Sequence, residues 1–550
     1  MAVSGSNRSR EQKPVMSQIF EENGVKIAVN KNHATPEKTD TFYNPRMTIC
    51  REISLSVLSA FCSELEDKTP ECLDAFSATG ISGLQWKKHL GHKIKVTVND
   101  ANADAVQNIK DNCALNGVEF HQNVEIKPGN DQNGGPDVID SGEKQEDLSK
   151  VEVFQADANV LLYLRSFDFV NLDPYGCAVH FLESAFRNTR NGGIIVITST
   201  DVASLYGKCS HVGLRNYGAY VVKTDYMKEM AARMVLGAAA RCATRCNKGF
   251  EVLVSIAVEH FVLVAVRICR GPKYADAIVP LVQRVLHCQI CEERVFYPPA
   301  HTPVEAPYTL LACDCTQKYP GKTALDLGPV WIGKIFSCTF ISKMLKSARN
   351  LKLSSRLCSL LETVHCEASC PDLVTPRTLT NHSHPEITDE MRGKESGLYE
   401  GGQNESLIEK THNQTQGCVN ISELEDAPIT SNFENVETTK GVTNISQGET
   451  SSSLKRKSEA LESPEGGTVA KKRKPQTLSV EDPVPFYYSV HRHRIKGVDL
   501  PKAPKLVKFL QSEGYCASRT HFDPTAVKTS ANLSQLKAVL LKHCKTVDTT

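Results

Sequence analysis

Long apolar runs are missing from this 550-residue chain, and no stretch approaches the roughly 18–20 consecutive apolar residues that a membrane-crossing helix needs. No membrane partner is therefore expected. A secretory leader is also not expected: the sequence opens on MAVSGSNRSREQKP, which is polar, and residues 1–23 are expected to be a disordered N-terminus. Charge of one sign is lacking overall, with 64 Lys/Arg against 63 Asp/Glu and a net charge of +1, so bulk charge singles out no class of partner. What is not scarce is cysteine, at 20 residues. With no leader to direct them to an oxidising compartment, scattered thiols point to reduced cysteines rather than a disulfide scaffold. Hydrophobic and charged fractions of 40% and 23% are those of a globular protein, and the length exceeds what a single core supports.

The near-zero net charge conceals a strong asymmetry. Residues 371–450 hold 14 Asp/Glu and 5 Lys/Arg with few large apolar side chains. Such a stretch cannot bury enough surface to offset its ordering entropy, and 371–480 is expected to be a disordered acidic linker. Near its end lie Lys455-Arg456-Lys457 and Lys471-Lys472-Arg473-Lys474, separated by 13 residues. This is the layout of a bipartite nuclear localisation signal, which implies the nuclear import machinery as partner and the nucleus, with the nucleolus as a further destination. Residues 485–550 reverse the sign, with 11 Lys/Arg and 4 Asp/Glu. LVKFLQSEGY has helical apolar spacing ending at Gly514, and YCASRTHFDPTAVKTS reads as a two-stranded ribbon turning at Asp523-Pro524. A small folded basic module of this kind, with His491, Arg492, His493, Arg494 and Lys496 beside Phe486, Tyr487 and Tyr488, suits a phosphate backbone.

Residues 45–271 alternate strand and helix signals, within a domain expected over 24–275. ECLDAF, KIKVTVND, VEVFQADA, FDFVNLDP and GGIIVITSTD read as strands. LQWKKHL, ADAVQNIKDNCALNG and a long pattern over about 218–245 read as helices. FEVLVSIAVEHF and VLVAVRICRG read as an antiparallel hairpin, and 121–150 as a polar insertion. Alternating βα units predict an α/β, Rossmann-like domain with a mainly parallel sheet, whose ligands bind beyond the carboxyl ends of the strands. That edge collects the unusual residues. Gly80 and Gly83 lie in the first βα loop, where missing side chains would let a ligand approach the backbone. Asp74, Asp100, Asp157 and Asp173 all end strands, and Asp100 follows Gly80 by 20 residues, the offset of a carboxylate that grips ribose hydroxyls. Each aspartate alone could equally be a helix N-cap.

An adenosine-bearing cofactor held through its ribose, without a pyrophosphate grip, points to S-adenosyl-L-methionine. The run Asp173-Pro174-Tyr175-Gly176 then acquires a purpose beyond turning the chain. The exocyclic amine of a nucleobase is a poor nucleophile because its lone pair is delocalised into the ring. A carboxylate accepting its N–H bonds aligns it and raises electron density on nitrogen, while Pro174 and Tyr175 offer a platform for an extruded base. Holding nitrogen, methyl carbon and sulfur in line supplies much of the acceleration.

The ordered series FYNPRMTICRE, LDAFSATGISG, VTVNDANADAV, ADAN, NLDPYG and TSTD, resumed after the linker by GPVWIG, VPFYYSVHRHRI and GYCASRTHFDPTAVKTSA, resembles the tRNA guanine-26 N2-dimethyltransferases. The likeness covers about residues 24–350 and 484–532 and favours a divergent vertebrate branch of that family. It implies a Rossmann-like methyltransferase domain joined to a small α+β C-terminal tRNA-binding domain, formed by 276–370 and 481–550 and interrupted by the insertion. It implies that Arg51, Asp100, Asp157 and Ala158 bind the cofactor and that Asp173, Pro174 and Tyr175 match the motif at the target base. The activity implied is transfer of methyl groups to N2 of a tRNA guanosine at position 26 or the neighbouring 27. This chain departs from the family pattern at Cys50-Arg51-Glu52 (usually Asn-Arg-Asp), at Ser82 (usually Arg) and at Gly176-Cys177-Ala178 (usually Gly-Ser-Pro). Those departures leave open a tRNA-binding or folding factor without catalysis.

Finally, Cys288-x2-Cys291 is followed after 21 residues by Cys313-x-Cys315. Two close pairs of thiols fit one structural zinc, although the second pair is tighter than the usual spacing. Four ordinary reduced cysteines are the alternative, and His287 and Cys338 are substitute ligands.

Overall fold

The computed structural model describes residues 17–30, 43–66, 68–122, 147–298, 303–321, 323–370 and 485–545. The acidic linker, both of its basic clusters and most of the polar insertion lie outside the described residues. The described chain begins with a hairpin, β1 (Ser17–Glu22) and β2 (Val25–Asn30), turned at Asn23-Gly24 with both residues at positive φ. Strand β1 corrects the expectation of a disordered 1–23. Six residues carrying two glutamates read as a polar tail until the partner strand is seen.

After α1 (Thr48–Cys62) come the eight strands of the central sheet: β3 (Glu71–Asp74), β4 (Lys95–Asp100), β5 (Phe120–Gln122), β6 (Val151–Gln155), β7 (Phe167–Leu172), β8 (Thr189–Ser199), β9 (Lys248–Val258) and β10 (Phe261–Arg270). Their order is β5-β6-β4-β3-β7-β8-β10-β9. All pairings from β5 to β8 are parallel, and β10 runs antiparallel to both β8 and β9. Strand β7, buried at every position, carries apolar side chains to both faces, as a covered parallel sheet requires. One face packs on α1, α2 (Ile81–Leu90) and α3 (Ala103–Leu115). The other packs on α4 (Ala158–Leu164), α5 (Leu182–Asn188) and α8 (Met227–Arg245), which follows the short helices α6 (Val202–Leu205) and α7 (Ser210–Tyr217). The helix expected over 218–245 thus starts at Met227; Tyr220 is instead drawn into a bridge with Gly328.

Beyond α9 (Pro272–Ile278), β11 (Val282–Cys288), β12 (Arg294–Phe296) and β13 (Ala324–Trp331) form a small sheet flanked by α10 (Cys315–Lys318). The helices α11 (Cys338–Asn350) and α12 (Ser355–Ala368) then return to cover the first face of the central sheet through Phe340, Ile341, Met344, Leu357 and Leu361. The C-terminal module comprises β14 (Tyr488–Ser489), α13 (Ala503–Ser512), β15 (Ala517–Arg519), β16 (Ala526–Thr529) and α14 (Leu533–His543), with Gly514 at φ +83° just past α13 and β15–β16 as the expected ribbon.

Packing crosses the boundary expected at 275/276. Phe486, Tyr487 and Phe522 of the module join Val285, Leu327 and Trp331 in the same core as β7, β8 and α8. These aromatic side chains are therefore core residues. Buried at 2% relative exposure, Phe486 and Tyr487 present no face for stacking on a nucleic acid.

Candidate active site

Strand β3 lies between β4 and β7, and the chain crosses over in opposite directions from it. The carboxyl ends of β3, β4 and β7 therefore border a crevice at the switch point. Asp74 ends β3 and is buried. Its Oδ1 accepts a hydrogen bond from Asn171 Nδ2 at 3.1 Å, and Asn171 Oδ1 in turn accepts from Ser54 Oγ at 3.1 Å. Asp74 Oδ2 and Asn99 Oδ1 are buried acceptors without a partner among the described residues. Burial pushes the Asp74 carboxyl up to about 6 against the pull of its hydrogen bonds to Asn171 and Ser77.

Asp173 follows β7 directly. Part of the residue reaches solvent, but loss of water around the carboxyl group and the nearby negative charge of Asp74 push it up to about 7, with Arg51 opposing. No hydrogen bond within the described residues engages its carboxylate, so it is an acceptor awaiting a donor. The two central turn residues divide sharply. Pro174 is buried, whereas Tyr175 is 70% exposed, so the platform expected from both rings is Tyr175 alone. Pro174, with φ fixed, turns the chain under it. The turn is clamped from β8: Gly176 N–H donates to Thr200 Oγ1 at 2.9 Å, and Thr200 N–H donates back to Gly176 O at 2.8 Å. Next to it, Asp201 Oδ1 accepts from Tyr217 Oη at 2.6 Å.

Arg51, on the first turn of α1, is buried and bound edge-on by Glu22: Nε to Oε1 at 2.7 Å and Nη2 to Oε2 at 2.5 Å. The same carboxylate accepts from Gln85 Nε2 at 2.9 Å, Thr48 Oγ1 at 2.8 Å and Tyr43 Oη at 3.0 Å. Burial alone would raise the Glu22 carboxyl, but the hydrogen bonds and charge of Arg51, with Gln85 and Thr48, outweigh it and hold the group low. Cys50, buried beside Arg51, has Sγ 3.6 Å from Thr198 Oγ1; burial and the charge of Asp173 push its thiol well up, so it stays protonated.

The remaining expected cofactor residues separate on inspection. Asp100 ties two loops together, accepting from Ala78 N–H and Asn102 N–H at 2.9 Å each, and burial raises it above the usual carboxylate range. Asp157 is an exposed N-cap that accepts from Asn159 N–H at 2.7 Å, so its helix-capping alternative is realised, and Ala158 behind it is buried. Gly80 sits at φ +78° ahead of α2, and a Cβ there would meet Ile109 at 3.3 Å. Gly83 is a correction. It lies inside α2, and a Cβ would fall 2.3 Å from Val98 Cγ1, so its missing side chain serves helix-on-strand packing rather than approach of a ligand.

Sequence reasoning missed Glu22, Asn171 and Thr200. Asn171 had a readable signal, a lone amide in the otherwise apolar run FVNL, and Thr200 lay in the noted TSTD. Glu22 had none, because its partner Arg51 is 29 residues away across a separate hairpin.

Apart from the crevice, the Sγ atoms of Cys288, Cys291, Cys313 and Cys315 all lie within 4.8 Å of one another. Tetrahedral zinc with sulfur at about 2.3 Å needs sulfur–sulfur distances of roughly 3.8 Å, so the four thiols fit the ion after small rotamer shifts. The tight second pair is accommodated because Cys315 begins α10, which turns its thiol back toward Cys313. The substitutes are engaged elsewhere: His287 Nδ1 is 2.7 Å from Tyr226 Oη, and Cys338 Sγ is 3.1 Å from Ser369 Oγ. No helix among the described residues is long and apolar enough to cross a membrane, and every described cysteine is a free thiol.

A parallel sheet closed by an antiparallel hairpin, with carboxylates at its switch point, defines a Rossmann-like methyltransferase domain. The profile of the N2,N2-dimethylguanosine tRNA methyltransferase family matches residues 23–392, and the chain belongs to that family. It is 41% identical over 526 residues to the tRNA (guanine(27)-N(2))-dimethyltransferase of Macaca fascicularis and 41% identical over 527 residues to that of Homo sapiens. Each match covers 96% of this chain but only 67% and 63% of those relatives' own lengths. The tRNA (guanine(26)-N(2))-dimethyltransferase of Methanosphaera stadtmanae is 32% identical over 358 residues, covering 64% of this chain and 81% of its own. Among solved structures, Trm1 from Pyrococcus horikoshii with S-adenosyl-L-methionine shares the fold, with a TM-score of 0.58 at 21% identity over 96% of this chain and 100% of that one.

Proposed function

We propose that this protein transfers methyl groups from S-adenosyl-L-methionine to the exocyclic N2 of a tRNA guanosine, at position 26 or 27. The observation that carries the reading is Asp173: an acceptor without a hydrogen-bond partner among the described residues at the switch point, its pKa raised to about 7 by burial and the charge of Asp74, beside the exposed ring of Tyr175. Its carboxylate accepts an N–H of the guanine amine and is placed to take the proton the amine loses as the N–C bond forms. Tyr175 stacks on the extruded base, and Thr200 keeps the turn from yielding. The buried acceptors Asp74 Oδ2 and Asn99 Oδ1 suit a ligand rich in N–H and O–H donors, as the cofactor's ribose and α-amino groups are. Asp74, Gly80, Asp100, Asp157 and Ala158 would line its adenosine side, and Arg51 would meet its carboxylate. When bound, the sulfonium supplies the electrophilic methyl group.

The basic C-terminal module supports tRNA binding through phosphate contacts, carried by exposed Arg494, Lys496, Lys502, Lys505, Lys508 and Arg519. Lys528 is not among them, because it is buried between two glutamates. A zinc ion at the four cysteines would brace this half of the molecule and take no part in methyl transfer. The clusters 455–457 and 471–474 support nuclear import, and replacing Lys471, Lys472, Arg473 and Lys474 with alanine should leave a fluorescent fusion cytoplasmic. The activity itself is tested by mass spectrometry of nucleosides from defined tRNAs incubated with protein and cofactor. Dimethylguanosine at 26 or 27 supports the reading, and its absence with bound cofactor would favour a tRNA-binding factor instead.

A further inference from the structure

The crevice reading leaves unexplained the segment between β8 and α8, residues 202–224. It carries Lys208, His211, Arg215 and Lys223 but no aspartate or glutamate. All four of these side chains are exposed, and none has an ion-pair partner among the described residues. By contrast, Arg187, Arg190 and Arg245 nearby are each paired with acids.

The four basic side chains share one region. Gly207 packs so tightly on the 222–223 backbone that a Cβ would lie 2.2 Å from Val222 C and 2.6 Å from Lys223 N, which places the backbone next to Lys208 against that of Lys223. His211 and Arg215 are four residues apart within α7 and so share one of its faces, and Lys208 lies just ahead of the helix. Helix α7 is in turn fixed to the catalytic turn: Tyr217 donates to Asp201, and Thr200, the residue before it, clamps Gly176. Of the acids bordering the segment, Asp201 accepts from Tyr217 through Oδ1 while its Oδ2 is buried without a partner among the described residues, and Asp225 faces Arg492 at 3.9 Å.

We propose that the 202–224 segment is a second RNA-binding surface, which seats the phosphate backbone flanking the target guanosine beside Tyr175. The inference rests on the tRNA methyltransferase reading. In it, the C-terminal module supplies most of the non-specific affinity, and the α7 surface sets where along the strand a base meets Asp173. Exposed lysine and arginine side chains with no acid in their own segment are what a phosphodiester chain selects, since each phosphate neutralised releases condensed counterions.

The test uses the full chain in two forms, K208A/R215A/K223A and K208E/R215E/K223E. Cofactor affinity by calorimetry should match wild type, because none of the three lies in the crevice. tRNA affinity should fall about tenfold with alanine and further with glutamate, and the log–log salt dependence should flatten by about 2 to 3, roughly 0.7–0.9 for each phosphate no longer neutralised. The loss should appear in KM, with kcat at saturating tRNA little changed for the alanine form. A glutamate form that binds cofactor normally and keeps wild-type tRNA affinity and salt slope would overturn the surface while leaving the activity standing. Wild-type protein that binds tRNA with the expected slope yet methylates no guanosine would overturn the activity and leave the surface. Absence of tRNA binding by wild type would remove both.

Discussion

At the scale of single residues the site depends on how water is excluded from one carboxylate. If Asp173 accepts the amine's hydrogen bond, Asp173→Ala should cost roughly 2–4 kcal/mol in the chemical step, about 30- to 1000-fold in single-turnover rate, with tRNA affinity near wild type. Only the ionised form accepts the proton, so the wild-type rate should climb as pH rises through about 7. Stability should move the other way. The folded-state value lies above that of the unfolded chain, so the native state holds more protons between about pH 4 and pH 7, and stability falls as pH rises across that window. Asp173→Asn removes the titration. It should melt above wild type at pH 8 and no higher at pH 4, while losing activity at both. A uniform shift in melting temperature, or full turnover, would identify the turn as merely structural. The acidic strand ends were readable because each aspartate interrupts an apolar run. The partition between Pro174 and Tyr175 was not, because exposure within a tight turn depends on what packs beneath it.

At the scale of elements, the sequence periodicities recovered β3, β4, β6 to β10 and the alternation that places the crevice, since covered parallel strands are continuous apolar runs bounded by turn residues; β5 (Phe120–Gln122) was missed because its last two residues read as the start of the polar insertion. They failed where tertiary partners decide. The hairpin β1–β2 pairs a short polar-rich strand with one whose Val25, Ile27 and Val29 enter the core, and the backbone of 219–226, unlike the helical pattern it resembles, bridges to β13 through Tyr220 and Gly328. Gly83 shows the same limit, since a loop glycine and a packing glycine look alike without the neighbouring strand. Gly83→Ala should force α2 off β4 and cost about 1–3 kcal/mol by overpacking against Val98. It should lower the urea midpoint while cofactor affinity of the folded protein stays near wild type; a selective loss of cofactor affinity at unchanged stability would return Gly83 to the ligand site. For the four cysteines, removal of a zinc ion by a strong chelator should release about one equivalent of metal. The melting temperature should fall and methyl transfer by the remaining folded protein should persist. Release of no metal would leave four reduced thiols.

At the scale of the whole molecule, the two halves expected from the sequence are joined through a buried ionic cluster. Lys528 of the C-terminal module lies 3.1 Å from Glu229 on α8 and 3.1 Å from Glu367 on α12, helices that cover opposite faces of the central sheet. Glu229 is also paired with Arg233 at 2.8 Å, and Glu367 accepts from Thr520 Oγ1 and from the backbone N–H of His521, whose Nδ1 lies 2.8 Å from Glu367 Oε2. Burial would raise Glu367, but Lys528 and His521 outweigh it and hold the carboxyl at about 2. Composition counted Lys528 toward a basic surface, since sequence alone does not tell a buried lysine from an exposed one. Lys528→Met leaves the length of the side chain but strands part of the negative charge in the interior, so it should cost about 3–5 kcal/mol. Pairing it with Glu367→Gln should recover part of that loss, because the remaining glutamate keeps Arg233. The shared core makes a further demand. Unfolding followed through the catalytic half and through the C-terminal module should give one coincident denaturant transition in wild type, and Lys528→Met should lower both together. Two separate transitions, with only the module affected by Lys528→Met, would mean that the halves fold independently and that the cluster does not couple them.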